Sequence, residues 1–281
     1  MPVVVLTNDD GIHAPGLAAL EKALAELGDV YVVAPEREQS ACGHALTLHR
    51  PLRALKMGER RFAVNGTPSD CANMAVLGFL PETPVLIVSG INHGANLGDD
   101  VTYSGTVSAA MEGTILGVPS IAVSLVDGGD FEVAGRVARR IAMRVLVGGL
   151  PGNTLLNVNV PPQPPRGIRM TRLGHRVYKE KIVEQADPRG RSHYWIGGGD
   201  ARWDDLDGTD MGAVHDGYIS LTPLHLDLTN HRALVQLADW QGGLNAQFRT
   251  ETDRPARRGP APVAAPKPAP AAATKRKPRR G

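Results

Sequence analysis

Two short runs, Val3-Val4-Val5-Leu6 and Val85-Leu86-Ile87-Val88, are apolar at every position and largely β-branched. A strand with one wet face alternates apolar and polar residues. A strand that is apolar throughout is covered on both faces, as in parallel sheets with helices on either side. Helical patterns fall between such runs. Gly16 to Leu27 carries Leu17, Leu20, Leu24 and Leu27 on one stripe and closes on Gly28. Val30 to Val33 is the next strand, Leu46 to Leu55 reads as a short strand or extended segment, and Phe62 to Val64 as another strand. Helices are expected at Pro68 to Leu77, Thr106 to Leu116 and Phe131 to Val147, with strands at Val118 to Leu125 and Leu155 to Val160. The alternation predicts an α/β fold with a mostly parallel, doubly wound sheet over residues 1–160.

The pattern changes after Pro161-Pro162-Gln163-Pro164-Pro165. Ile168 to Val183 and Tyr218 to Thr222 suggest strands of a hairpin-like extension over 161–252. The polar, Gly-rich stretch from Gln185 to Asp210 is expected to be a long loop or to pack on another subunit, and Asn230 to Gln241 is a helix candidate. From Asp253 the chain holds nine Lys and Arg against one acid. This tail contributes +8 to a net charge of +2, so the preceding residues carry −6. Its Ala/Pro/Lys composition cannot bury a core, which predicts disorder. It is either a solubilising extension or a weak contact for a polyanion. Aromatic residues are 4% of the chain, too few for a single-stranded nucleic-acid stacking platform. No run of about 18 apolar residues is present, so no membrane span is expected. The start of the chain lacks a basic leader, and Cys42 and Cys71 form no metal or redox pattern, so a cytoplasmic setting is expected.

Chemistry collects where the strands end, the place at which open α/β sheets bind ligands. Thr7-Asn8-Asp9-Asp10-Gly11 follows the first strand. Two adjacent carboxylates repel, and a hard divalent cation compensates them; a turn with a helix cap is the plainer reading of the same residues. Glu36 to Gly43 follows the second strand, and Ser89 to Asp100 follows Val85–Val88. Neighbouring strand ends lie about 5 Å apart. Two carboxylates, a hydroxyl and an amide can therefore meet around one Mg²⁺ or Mn²⁺. Ser104-Gly105-Thr106 opens a helix, which makes either an anion cradle or an ordinary N-cap. Asp99-Asp100 reads as structural. Tyr103 reads as packing ahead of ligand stacking, and Gly66-Thr67-Pro68-Ser69-Asp70 as either a helix cap or a contact on the base or ribose side. No G-x-G-x-x-G follows the first strand, which disfavours a dinucleotide-dependent dehydrogenase or transferase, and no P-loop, G-x-S-x-G or H-E-x-x-H occurs. Strand-end carboxylates beside a phosphate cradle point to metal-assisted phosphate-ester hydrolysis. A non-catalytic nucleotide- or RNA-binding protein, using the crevice and the basic tail, is the competing class.

These segments resemble the SurE (survival protein E) family of metal-dependent nucleotidases. The resemblance rests on Thr7 to Gly16, Ala34-Pro35 with Ser40, Gly66 to Cys71, Ser89 to Asn92, Asn96 to Val101, Tyr103 to Gly113, and Gly217 to Leu224 with Asp227 and Thr229. It implies a Rossmann-like three-layer α/β/α body and a C-terminal, hairpin-containing extension used in homodimer or homotetramer contacts. Asp9, Asp10, Ser40 and Asn92 would hold one Mg²⁺ or Mn²⁺ per subunit. Asn96, Ser104, Gly105 and Thr106 would surround the phosphate. The implied substrates are nucleoside 5′-monophosphates, with 3′-monophosphates and polyphosphate as further possibilities. The leaving alkoxide needs a proton, for which His13, His44, His93 and His231 are candidates; His231 resembles a position proposed to act in the family, and a surface histidine is its plainer reading.

Overall fold

The computed structural model describes residues 1–177, 181–197, 202–204 and 206–252. The expected disordered tail from Asp253 lies outside them. The first part of the chain runs β1 (Val3–Thr7), α1 (Pro15–Leu24), β2 (Asp29–Pro35), β3 (Ala54–Gly58), β4 (Arg61–Val64), α2 (Pro68–Met74), β5 (Leu86–His93), α3 (Gly105–Ile115), β6 (Ser120–Leu125), α4 (Phe131–Gly148) and β7 (Thr154–Val160). The second part contributes β8 (Ile168–Met170), β9 (His175–Val177), β10 (Lys181–Ala186), β11 (Ser192–Gly197), β12 (Arg202–Asp204), α5 (Asp210–His215), β13 (Ile219–His225), α6 (His231–Gln236) and α7 (Ala238–Thr252). The chain divides into two compact units, Met1–Leu228 and Thr229–Gly281. Of the second unit, α6 and α7 are described.

One large sheet has the order β3-β4-β2-β1-β5-β6-β7-β13-β8. The block β4-β2-β1-β5-β6-β7 is parallel; β3 pairs antiparallel with β4, and β13 antiparallel with β7. The expected mostly parallel α/β sheet is present, with β10–β11 as a separate antiparallel hairpin. Strand β1 shows why an uninterrupted apolar run was diagnostic. Val4 and Leu6 pack with Leu17, Leu20 and Leu24 of α1 and Ala134, Val137 and Ile141 of α4. Val3 and Val5 point the other way, toward Cys71 and Ala72 of α2. Each fully buried Leu contributes about 2 kcal/mol, so the α1 stripe alone anchors that layer firmly. On the α2 side, Val107 and Ala110 of α3 join Ala122 and Leu155.

Three segments depart from expectation. Of the short strand or extended segment expected over Leu46 to Leu55, only Ala54 and Leu55 belong to a strand, the first two residues of β3. The preceding residues are held by side chains instead of a ladder: Asp70 accepts the Thr47 N–H at 2.8 Å and Asn65 the Arg53 N–H at 2.7 Å. The stretch Gln185 to Asp210, expected as a long loop or as a segment packed on another subunit, contains β11 and β12. Its Tyr194-Trp195-Ile196 segment pairs across β10, where Val183 faces Trp195 and Ile182 faces Ile196, a signal hidden by polar, Gly-rich flanks. Finally, the helix expected over Asn230 to Gln241 is two helices meeting at Leu237.

Candidate active site

The carboxyl ends of β1, β2 and β5 open into a cleft of about 380 Å³ that Asp9, Asp10, Ser40 and Asn92 line together. Residues from three strand ends, 83 positions apart at the extreme, therefore meet as their spacing predicted. Glu38 and Asp100 add two further carboxylates, and neither Lys nor Arg is in the lining.

Asp9 is 5% exposed and sits against the N-terminus of α3. The Thr106 hydroxyl donates to its Oδ1, and the backbone N–H groups of Gly105 and Thr106 point at the same carboxylate. Burial pushes the Asp9 carboxyl above its ordinary range, and those donors only partly offset it. The approach requires glycine at 105, since a Cβ there would lie 2.7 Å from Asp9 Cβ and 2.9 Å from its Oδ2. Asp10 accepts the His93 N–H at 3.3 Å. Its carboxyl is also raised, first by burial and then by the charge on Asp9, with the His93 amide opposing. Ser40 lies on the exposed segment after β2 and donates to Glu38 at 2.6 Å. Asn92, at the end of β5, donates its NH₂ to the Gly94 carbonyl at 2.9 Å, which leaves its side-chain oxygen as the end available to a cation. Close packing of β5 on β6 sets this turn: a Cβ on Gly90 would come 2.3 Å from the Val123 oxygen.

The donor set suits a hard divalent cation. It offers carboxylate, hydroxyl and amide oxygens, and both adjacent carboxyls are held above their normal range in a cleft whose lining has neither Lys nor Arg. Among the described residues no cluster of three His, Cys, Asp or Glu suited to a metal occurs, so any cation here depends on the Ser and Asn oxygens as well.

The residues expected around phosphate divide. Asn96 and Ser104 line the cleft. Gly105 and Thr106 lie behind it, engaged with Asp9. Ser104 also caps α3 by accepting the Val107 N–H at 3.1 Å. Tyr103, read as packing, is 63% exposed on the cleft lining. The acidic pair splits as well, for Asp99 pairs with His175 at 2.8 Å while Asp100 faces the cleft. Gly66 to Asp70 is a helix cap: Thr67 and Asp70 form a capping box at the start of α2. Of the candidate histidines, His93 lines the cleft, His13 is exposed, and His44 Nε2 donates to Glu112 at 2.6 Å. His231 opens α6 in the second compact unit.

Sequence reasoning missed the groups that hold the cleft loops. Asn159 of β7 accepts the Asn96 N–H at 2.8 Å, and Asn157 and Asn159 both donate to the Asn96 carbonyl. Asn96 in turn donates to Ser124 of β6 at 2.8 Å. Two asparagines at alternate positions of an otherwise apolar strand were the available signal, because positions i and i+2 share a face. Asp210 of α5 accepts N–H groups from Gly98 and Gly174, each at 2.8 Å.

The sequence profile of the family described as Survival protein SurE matches residues 4–180. The chain belongs to the SurE family. It is 55% identical over 244 residues to a protein of Geotalea daltonii named 5′-nucleotidase SurE, covering 85% of this chain and 98% of that one. A Syntrophotalea carbinolica protein of the same name is 54% identical over 242 residues, covering 85% and 97%. The crystal structure of SurE from Aquifex aeolicus superposes with a TM-score of 0.77 at 45% identity, covering 85% of this chain and all of that one. The Rossmann-like α/β/α SurE fold expected from the motifs is therefore the fold observed.

Proposed function

We propose that the chain is a divalent-cation-dependent 5′-nucleotidase, a phosphoric monoester hydrolase that releases nucleoside and phosphate. The observation that carries the reading is the oxygen-lined acidic cleft at the ends of β1, β2 and β5, in a chain with SurE relatives named for that activity. A phosphate dianion meeting Asp9, Asp10, Glu38 and Asp100 is repelled unless a cation is present. Asp9, Asp10, Ser40 and Asn92 would hold one Mg²⁺ or Mn²⁺. When bound, it supplies Lewis-acid polarisation of a phosphoryl oxygen and acidifies water at the site.

The chain's own residues do the rest. Thr106 and the start of α3 fix Asp9, and the His93 amide fixes Asp10, so neither carboxylate needs to reorganise. Ser104 and Asn96 face the phosphoryl group, with the Gly105 and Thr106 amides contributing their dipoles from behind Asp9. Tyr103, exposed on the cleft lining, would face the nucleoside. His231 is assigned the proton for the leaving alkoxide, and His93, which lines the cleft, is its competitor. The same site would take 3′-monophosphates and shorten polyphosphate.

Phosphate release from a panel of nucleoside 5′- and 3′-monophosphates and polyphosphate tests this directly. Release should vanish with EDTA, return with Mg²⁺ or Mn²⁺, and fall in whichever of His231→Ala and His93→Ala removes the proton donor. No release with any cation would leave a nucleotide-binding protein, and the basic tail would then be the segment to test for polyanion contact.

A second copy of the chain is the proposed partner, as a homodimer or homotetramer. Its support is the β10–β11 hairpin, on which Ile182, Trp195 and Ile196 are 72%, 65% and 78% exposed. Sedimentation velocity should show a species of at least twice 29.9 kDa, and a monomer at micromolar concentration would overturn it. Among the described residues no helix is long and apolar enough to cross a membrane. A cytoplasmic location is proposed from the cysteine usage, and fractionation of the source cells tests it.

A further inference from the structure

Ser40 stands on an irregular segment between β2 and β3, and that segment is pinned at successive points. The Gln39 N–H donates to the Asp9 carbonyl at 2.7 Å, the Gly43 N–H to the Tyr103 carbonyl at 3.1 Å, and Thr67 donates to the Ala45 carbonyl at 2.7 Å. Between the first two pins the backbone turns through left-handed conformations at Ala41 (φ 56°) and Gly43 (φ 58°). A left-handed alanine costs on the order of 1 kcal/mol and persists only where the surroundings over-determine it. The side-chain pin nearest the turn is His44, whose Nε2 donates to Glu112 Oε2 at 2.6 Å.

Glu112 is 5% exposed, and its other oxygen accepts from Asn73 of α2. A carboxylate this deep needs hydrogen-bond donors, and His44 and Asn73 supply one to each oxygen. Glu112 belongs to α3, the helix whose first residues hold Asp9. Seven residues separate Gly105 from Glu112, about 10 Å along the axis. One rigid helix thus touches Asp9 at its start and the Ser40 segment two turns later.

We infer that His44 and Glu112 are positioning residues that set Ser40 against Asp9 through α3. The inference rests on the cation reading above, since Ser40 matters as a cation ligand. Neither residue lines the cleft; the clasp acts by holding the Ala41–Gly43 turn closed.

The test compares the wild-type chain with His44→Phe, which fills the space without the bond, His44→Gln, which restores a donor at similar reach, and Glu112→Gln, which keeps an oxygen for His44. Mn²⁺ binding is read from the free-ion electron paramagnetic resonance signal, and hydrogen exchange is read over residues 39–47. His44→Phe should weaken Mn²⁺ binding about tenfold or more, the size typical when a group orienting a ligand is lost. It should also speed exchange in the segment, while His44→Gln and Glu112→Gln recover most of both. His44 is partly exposed, so its variants should fold, and Glu112→Gln, though buried, keeps the size of the side chain and an oxygen for His44. Wild-type protein that binds no Mn²⁺ overturns this inference together with the cation reading. Wild-type protein that binds while His44→Phe binds equally, or His44→Gln failing as badly as His44→Phe, overturns this inference alone.

Discussion

Asp9→Asn should reduce cation-dependent phosphate release by at least about a thousandfold, the scale of several kcal/mol of transition-state charge stabilisation. The same substitution should raise the melting temperature of the cation-free protein. The two effects share a cause. Asp9 is nearly buried and its carboxyl is raised chiefly by that burial, so the folded chain holds its proton more tightly than the unfolded chain does. Stability is therefore lowered above the raised folded value and recovers as pH falls through it toward the ordinary carboxylate range. Asparagine at 9 keeps an acceptor for Thr106 and removes the charge, including its upward push on Asp10. Calorimetry of the EDTA-treated proteins from neutral to mildly acid pH checks this. The wild-type melting temperature should approach that of the variant as pH falls, and added Mn²⁺ should raise the wild type alone. A variant no more stable than wild type at neutral pH would show that the Thr106 and helix-terminal donors already compensate the charge.

Gly105→Ala should cost about 1–3 kcal/mol in stability, the range for forcing a methyl group into a packed site. It should also lower kcat/KM about a hundredfold, as expected when a reacting geometry shifts by about 1 Å. The new methyl carbon would meet Asp9 Cβ at 2.7 Å, Asp9 Oδ2 at 2.9 Å and Cys42 Sγ at 3.1 Å. Those atoms belong to the β1 end and the segment after β2, so relief moves the cleft from two sides. Gly117→Ala is the control for lost glycine: its added Cβ meets nothing within 4 Å, although its φ of 83° strains the backbone. If Gly105→Ala keeps full kcat/KM, the contact between Asp9 and α3 does not set the active geometry.

The parallel block was legible in the chain because burial on both faces leaves an uninterrupted apolar run, and β1 and β5 carry such runs. The meeting of Asp9, Asp10, Ser40 and Asn92 was legible for a related reason, since adjacent parallel strands end side by side. What stayed hidden depends on distant partners. That Thr106 would serve Asp9 could not be read locally, because Ser-Gly-Thr at a helix start fits a free anion cradle equally well. Tyr103 was placed in the packing by type, whereas the turn before α3 holds it outward. The Glu112 to His44 contact spans 68 positions and joins a helix interior to an irregular segment, where no periodicity operates. Asn157 and Asn159 were visible as polar residues in an apolar strand, but their target, the Asn96 backbone, lies two strands away in the order of the sheet.

Asp210 changes what the C-terminal third of this chain means for evolution and engineering. A natural place to cut or graft is the proline run after β7, where the parallel block ends. Yet Asp210, from beyond that run, accepts the Gly98 N–H beside the loop that carries Asn96 and Asp100, and accepts Gly174 at the same time. A shortened chain would leave the Gly98 amide without its acceptor, and a transplanted extension would have to bring a carboxylate to the same spot. A cut or graft at the proline run therefore has to preserve that carboxylate as well as the pairing of β13 with β7.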